Sequence, residues 1–147
     1  MRSKPWLPVM IAAAVCILAG GCTLMPPKEP SLSPQEVVSK FYRWYIGYPG
    51  NPLVDKEYRH SPYLTESFIK AADEATASFD TGGGDPFLLA QDIPEEYVVG
   101  QATVSGDQAN VVLEFYWRGN PNPTYRRVDL ELVDGEWRIS GVKPFEQ

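Results

Sequence analysis

From Gln108 to Arg118 apolar and polar side chains alternate: Ala109, Val111, Leu113, Phe115 and Trp117 against Asn110, Val112, Glu114, Tyr116 and Arg118. A period of two puts the two sets on opposite faces of a β-strand. The first set is apolar enough for a core face. The second ends in Glu114, Tyr116 and Arg118, which is unusual for a merely solvated face. Similar runs flank it. Tyr97–Ser105 precedes, joined through the tight turn Gly106-Asp107, and Thr124–Val133 follows after the stiff connection Gly119–Pro123. In that third run Arg126, Val128, Leu130 and Leu132 share one side, and Tyr125, Arg127, Asp129 and Glu131 the other. Asp134-Gly135 is a hairpin signal. Glu136–Val142 closes the set, with Trp137 and Ile139 inward and Arg138 outward. The pattern predicts a four-stranded antiparallel meander between Glu96 and Val142.

Before Glu96 the spacing becomes helical. Ser33-Pro34-Gln35-Glu36 combines a capping serine, a proline at the first helical position and a glutamate that completes a capping box. Val37, Val38, Phe41, Trp44 and Tyr45 then recur at three- and four-residue spacing, and Gly47 ends the helix. Gly47–Ser61 holds Pro49, Gly50, Asn51 and Pro52 and reads as loop. Tyr63–Phe79 reads as a second helix, with Leu64, Phe68, Ile69, Ala72, Ala75 and Phe79 on one side and Lys70, Asp73 and Glu74 on the other. Thr81–Gly84 breaks it. That glycine run lacks the lysine and hydroxyl residue of a phosphate loop, and Asp85 follows instead. Asp85 is expected to cap a short turn begun by Pro86. Phe87, Leu88 and Leu89 are expected to bury, leaving Gln91 and Asp92 to emerge beside the sheet.

Composition sharpens this. The chain has 147 residues, enough for one domain, with 44% hydrophobic and 12% aromatic residues to build a core. Its formal net charge is −6, and an acidic surface argues against nucleic acid or anionic lipid as partners. Cys16 and Cys22 both precede the domain, so no disulfide framework holds the folded part. His60, the single histidine, sits at the end of a loop and cannot form a His-rich metal site.

The N-terminus carries an address. Arg2 and Lys4 precede the apolar run Leu7–Ala19, which is shorter than the roughly 20 residues of a spanning helix. It ends Leu18-Ala19-Gly20-Gly21-Cys22, which resembles a bacterial lipoprotein signal. The resemblance implies cleavage before Cys22 and lipidation of its thiol, giving a signal peptide over 1–21 and a Pro-rich tether over 22–33. A single α+β domain over 34–147 follows. Thr23 after the cysteine resembles an outer-membrane-directed sequence in Gram-negative bacteria; otherwise the outer face of the cell membrane is expected.

Candidate chemistry is sparse. Glu114, Tyr116 and Arg118 against Tyr125, Arg127, Asp129 and Glu131 form either a solvated ladder of cross-strand ion pairs or the polar lining of a pocket. Tyr42 and Tyr45 on the first helix either belong to its core stripe or line the same pocket. Asp80, Asp85 and Asp92 could hold calcium, but their spacing is not that of an EF-hand. No metal and no cofactor is expected.

Helices followed by a meander ending in Asp134-Gly135-Glu136-Trp137-Arg138-Ile139-Ser140-Gly141-Val142 resemble the nuclear transport factor 2-like, or cystatin-like, superfamily. Within it, Phe41-Tyr42-Arg43-Trp44-Tyr45, Asp85-Pro86-Phe87 through Gln91-Asp92, and Trp137-Arg138-Ile139 resemble the bacterial domain of unknown function 3828 family. The resemblance implies helices on a curved sheet enclosing a cone, often with a ligand at its open end, and frequent dimerisation through the sheet. Some superfamily members are isomerases or dehydratases with an Asp/His or Asp/Tyr pair in the cone. Here that pair would be Asp92 with Tyr45 or Tyr116, its carboxylate desolvated.

Three readings follow. The first is a non-enzymatic, lipid-anchored envelope protein binding a small molecule or a protein through Tyr42, Tyr45, Asp92, Glu114, Tyr116, Arg118 and Arg127. The second is an isomerase or hydrolase using Asp92 with a tyrosine. The third is an inhibitor or immunity-like domain, or a homodimer, using the outer face of the sheet.

Overall fold

The computed structural model describes residues 28–77 and 84–145. The signal segment, Cys22, Phe79 and Asp80 lie outside them. Helix α1 spans Pro34–Gly47, α2 Glu66–Thr76, and the strands are β1 (Glu96–Ser105), β2 (Gln108–Tyr116), β3 (Thr124–Val133) and β4 (Glu136–Pro144). The sheet is an antiparallel meander in the order β1-β2-β3-β4. Both helices pack on one face, α1 across β1, β2 and β4, and α2 against β4. The expected α+β class and meander are therefore present.

The start of α1 follows the sequence signal closely. Ser33 Oγ accepts from the Glu36 N–H, and Glu36 Oε2 accepts from the Ser33 N–H at 2.8 Å. Two otherwise orphan donors are satisfied, which is why the helix begins there. The residues before it lie against β4: Ser31 Oγ donates to Glu136 at 2.7 Å, and Leu32 packs on the core.

The second helix is shorter than its periodicity predicts. Thr65 caps it by accepting from the Phe68 N–H, so Tyr63 and Leu64 are not helical. Their backbone pairs instead with β4: the Ile139 N–H donates to Tyr63 and the Thr65 N–H donates to Ile139, at 2.7 and 2.9 Å. A strand edge outcompeted the first turn of the helix. Asp73, expected on the solvent side, accepts from Tyr58 and Arg59. Those bonds hold its carboxyl below the usual range, the Arg59 guanidinium foremost. The segment read as loop contains a 3-10 turn, Glu57–His60, that buries Tyr58 completely.

Ala109, Val111, Leu113 and Phe115 form the helix-covered face of β2, with Val128, Leu130, Trp137 and Ile139 beside them. Phe87 sits at the centre, within 5.0–5.4 Å ring-to-ring of Phe41, Tyr45, Tyr58 and Phe68. The interior of the fold is thus filled by aromatic rings. The register slips between Val99 and Ala102 in β1 and again beside Asp129. Such bulges bend a sheet. Gly100 stands at the first, where a Cβ would lie 2.9 Å from the Val112 carbonyl oxygen, so the strands approach this closely only with glycine there.

Candidate functional site

The segment from Asp85 to Ile93 crosses the end of the covered face and is fixed from three directions. Asp85 Oδ1 accepts from the N–H groups of Phe87 and Leu88 at 2.7 and 3.0 Å, the capping role its position before Pro86 suggested. Its other oxygen accepts from Tyr45 Oη at 2.7 Å. Tyr42 Oη donates to the Phe87 carbonyl at 2.7 Å. Arg126, reaching over from β3, donates to the carbonyls of Leu88 and Leu89 at 2.9 and 3.2 Å. Three successive carbonyls that the turn leaves unpaired are satisfied by buried or half-buried side chains, as desolvated carbonyls require.

These anchors hold an unfavourable backbone. Leu89 has φ +51°, a left-handed conformation that costs a branched residue about 1–2 kcal/mol. Leu89 is half-buried, not inside with Phe87 and Leu88 as expected. Burial pushes the Asp85 carboxyl above its ordinary range, although its three donors pull the other way. Burial also holds the hydroxyls of Tyr42 and Tyr45 protonated far above the usual tyrosine range, so both act as donors.

The predicted site residues do not converge on one site. Tyr42 is fully buried, its hydroxyl engaged by the Phe87 carbonyl. Tyr45 and Asp92 do border one cleft of about 320 Å³, together with Asn51, Leu53, Asp85, Leu88 and Ile93. Yet the carboxylate on Tyr45 is Asp85, and Asp92 is exposed. A desolvated Asp92–tyrosine pair is absent, and the catalytic arrangement expected for the second reading falls with it. Glu114, Tyr116 and Arg127 lie on the other face of the sheet, because their neighbours in alternation, Phe115 and Val128, face the helices. Tyr116 Oη donates to Glu114 at 2.9 Å, which raises its hydroxyl above the ordinary range. Arg118 lies in the turn after β2, exposed and paired with Glu95 at 2.6 Å.

The open face carries its own groove, about 480 Å³, bordered by Thr103, Gln108, Asn110, Arg127, Asp129 and Lys143. Asp129 is its hub, 2.9 Å from Arg127 and 2.7 Å from Lys143. Among the described residues the expected ladder between β2 and β3 does not form: Arg127–Asp129 and Tyr116–Glu114 pair along one strand and Asp129–Lys143 joins β3 to β4, all on the face away from Tyr45 and Asp92. Among the described residues, no group of three or more His, Cys, Asp or Glu could hold a metal ion. His60 is exposed and borders neither the cleft nor the groove.

Sequence reasoning did not single out Arg126 or Tyr58, and it left the Tyr45–Asp85 pair unconnected. Arg126 had a signal: it sits on the same strand side as Val128 and Leu130, and a charge on an apolar face must find buried acceptors.

No family model matches the chain, and no curated protein matches it. Solved structures do. The chain is similar to a chain of the type VI native effector-immunity complex Tae3-Tai3 from Ralstonia pickettii. The TM-score is 0.63 and the identity 25%, covering 78% of this chain and 97% of that one. The selenomethionine form of the same complex aligns at TM-score 0.59 and 23% identity, covering 78% and 98%. A protein of unknown function from Bacteroides thetaiotaomicron aligns at 0.48 and 17%, covering 75% and 85%.

Proposed function

We propose that this chain is an immunity-type interaction protein, held in the bacterial cell envelope by lipid on Cys22, that binds and neutralises a protein effector. The observation that carries the reading is the likeness at 25% identity to nearly the whole length of a chain from an effector-immunity complex. The site geometry supports it. Polar candidates are divided between two faces, and the carboxylate beside Tyr45 is saturated by three donors within the fold. A group so fully bonded is a structural element, and what the molecule offers outward is surface. The lipoprotein-like signal, with its tether after Cys22, supports a position for that surface outside the inner membrane, in the outer membrane of a Gram-negative cell. Membership of the nuclear transport factor 2-like superfamily, and of the domain of unknown function 3828 family within it, is part of the same proposal.

The test is a competition between cells of the strain that carries this chain. Cells lacking the chain are mixed with type VI-armed parental cells. Survival should fall, return with the full chain, and return less with Cys22→Ala. Equal survival with and without the chain would reject the immunity reading. Equal protection by Cys22→Ala would reject the role of the lipid.

A further inference from the structure

The cleft beside Tyr45 is bordered by two loops that hold their own shape and leave their tips free. On one side Asn51 Oδ1 accepts from the N–H groups of Leu53 and Val54 at 3.0 and 3.3 Å, and its carbonyl accepts from the Asp55 N–H at 2.9 Å. Lys56 closes that loop with φ +57°. On the other side stands Leu89 at φ +51°, clamped by Arg126. Among the described residues the remaining non-glycine residue with positive φ is Asp134, in a hairpin turn where that conformation is expected. Strained backbone persists where the surroundings over-determine it, and it gathers at sites of recognition. Both loops have a defined shape before any partner arrives, which lowers the ordering cost of association.

Their tips are unpartnered. Ile93 is 54% exposed and Val54, next to Leu53, is 74% exposed. Gln91 and Asp92 are exposed, and among the described residues their side chains enter no hydrogen bond or ion pair. Arg126 is engaged with the Leu88 and Leu89 carbonyls, and Arg118 with Glu95. On the open sheet face, by contrast, Asp129 lies at ion-pair distance from Arg127 and Lys143, although the buried Arg127 Nε makes no hydrogen bond, and a partner there would have to displace or desolvate those pairs.

Resting on the interaction reading above, we propose that the cleft between Gly50–Leu53 and Gln91–Ile93 is where the protein partner docks. The partner presents a basic side chain to Asp92 and an adjacent large apolar side chain that enters over Leu53 and Ile93. The net charge of −6 favours such a basic partner surface, by steering as well as by contact.

The same competition assay tests this, with type VI-armed parental cells as the probe and the full chain carrying Asp92→Lys or Ile93→Glu. Both positions are exposed, so each variant should accumulate in the envelope and melt like the wild type. Each should lower protection at least about tenfold, the loss that removing one anchor of an interface produces. Thr103→Lys and Ser140→Lys, on the open face, should protect as well as the wild type. Full protection by the cleft variants, or its loss in the open-face variants alone, would overturn the docking assignment and leave the immunity reading standing. Absence of protection by the wild-type chain would overturn both.

Discussion

β2 carries Ala109, Val111, Leu113 and Phe115 toward the helices and Asn110, Val112, Glu114 and Tyr116 away from them, so one ribbon serves two surfaces with different rules. On the covered side the polar groups that hold the Asp85–Leu89 turn have fixed partners, mostly backbone. Tyr42 serves Phe87, Arg126 serves Leu88 and Leu89, and Asp85 serves two N–H groups and Tyr45. On the open side polar groups serve each other, as in Arg127–Asp129–Lys143 and Tyr116–Glu114, within reach of water. The two sides therefore differ in what a lost bond costs. Unmaking a covered-side bond strands a desolvated group, whereas unmaking an open-side pair returns two solvated ones.

The largest effect should come from the centre of the covered side. Phe87→Ala removes the ring that touches four others and should lower stability by about 3–5 kcal/mol in urea unfolding. A loss below about 1 kcal/mol would break the comparison, because it would mean that the turn is not anchored through this ring.

Asp85→Asn is subtler and its signature lies in pH. Burial raises the folded pKa of Asp85 above its unfolded value near 4. A carboxyl with a raised folded pKa binds its proton more tightly in the fold. Its linked contribution is therefore present at acidic pH and is lost as pH rises through the carboxylate range. Asparagine does not titrate. The stability of the wild type relative to Asp85→Asn should accordingly be greatest below about pH 4 and shrink as pH rises toward neutrality. A gap that widens with pH would mean that the three donors outweigh burial.

The smallest effect belongs to the open side. Asp129→Asn removes both ion pairs of the groove and should cost less than about 1 kcal/mol, with the difference vanishing in high salt. A large, salt-insensitive loss would show that the fold depends on the open face as much as on the covered one.

Local signals explain what is legible in the chain alone. The capping box at Ser33 and Glu36, the strand alternation and the hairpin turn at Asp134-Gly135 depend on residues within a few positions of each other, so the chain announces them directly. Asp85 capping its own turn is of the same kind. The second helix falls short of its spacing for the complementary reason: Leu64 fits the helical period, but its backbone finds β4, which lies 75 positions further along at Ile139.

The candidate site shows the same division. The sequence by itself determined which side chains share a face of each strand, since that follows from a period of two. It could not determine which face the helices would cover, nor that Tyr45 would find Asp85 rather than Asp92, nor that Arg126 would turn inward to bind the turn. Those outcomes depend on contacts 37 to 40 residues apart in the chain, between Arg126 and Leu89 and between Tyr45 and Asp85. Only packing decided them, because a desolvated donor or charge takes the acceptor that the assembled core brings within reach.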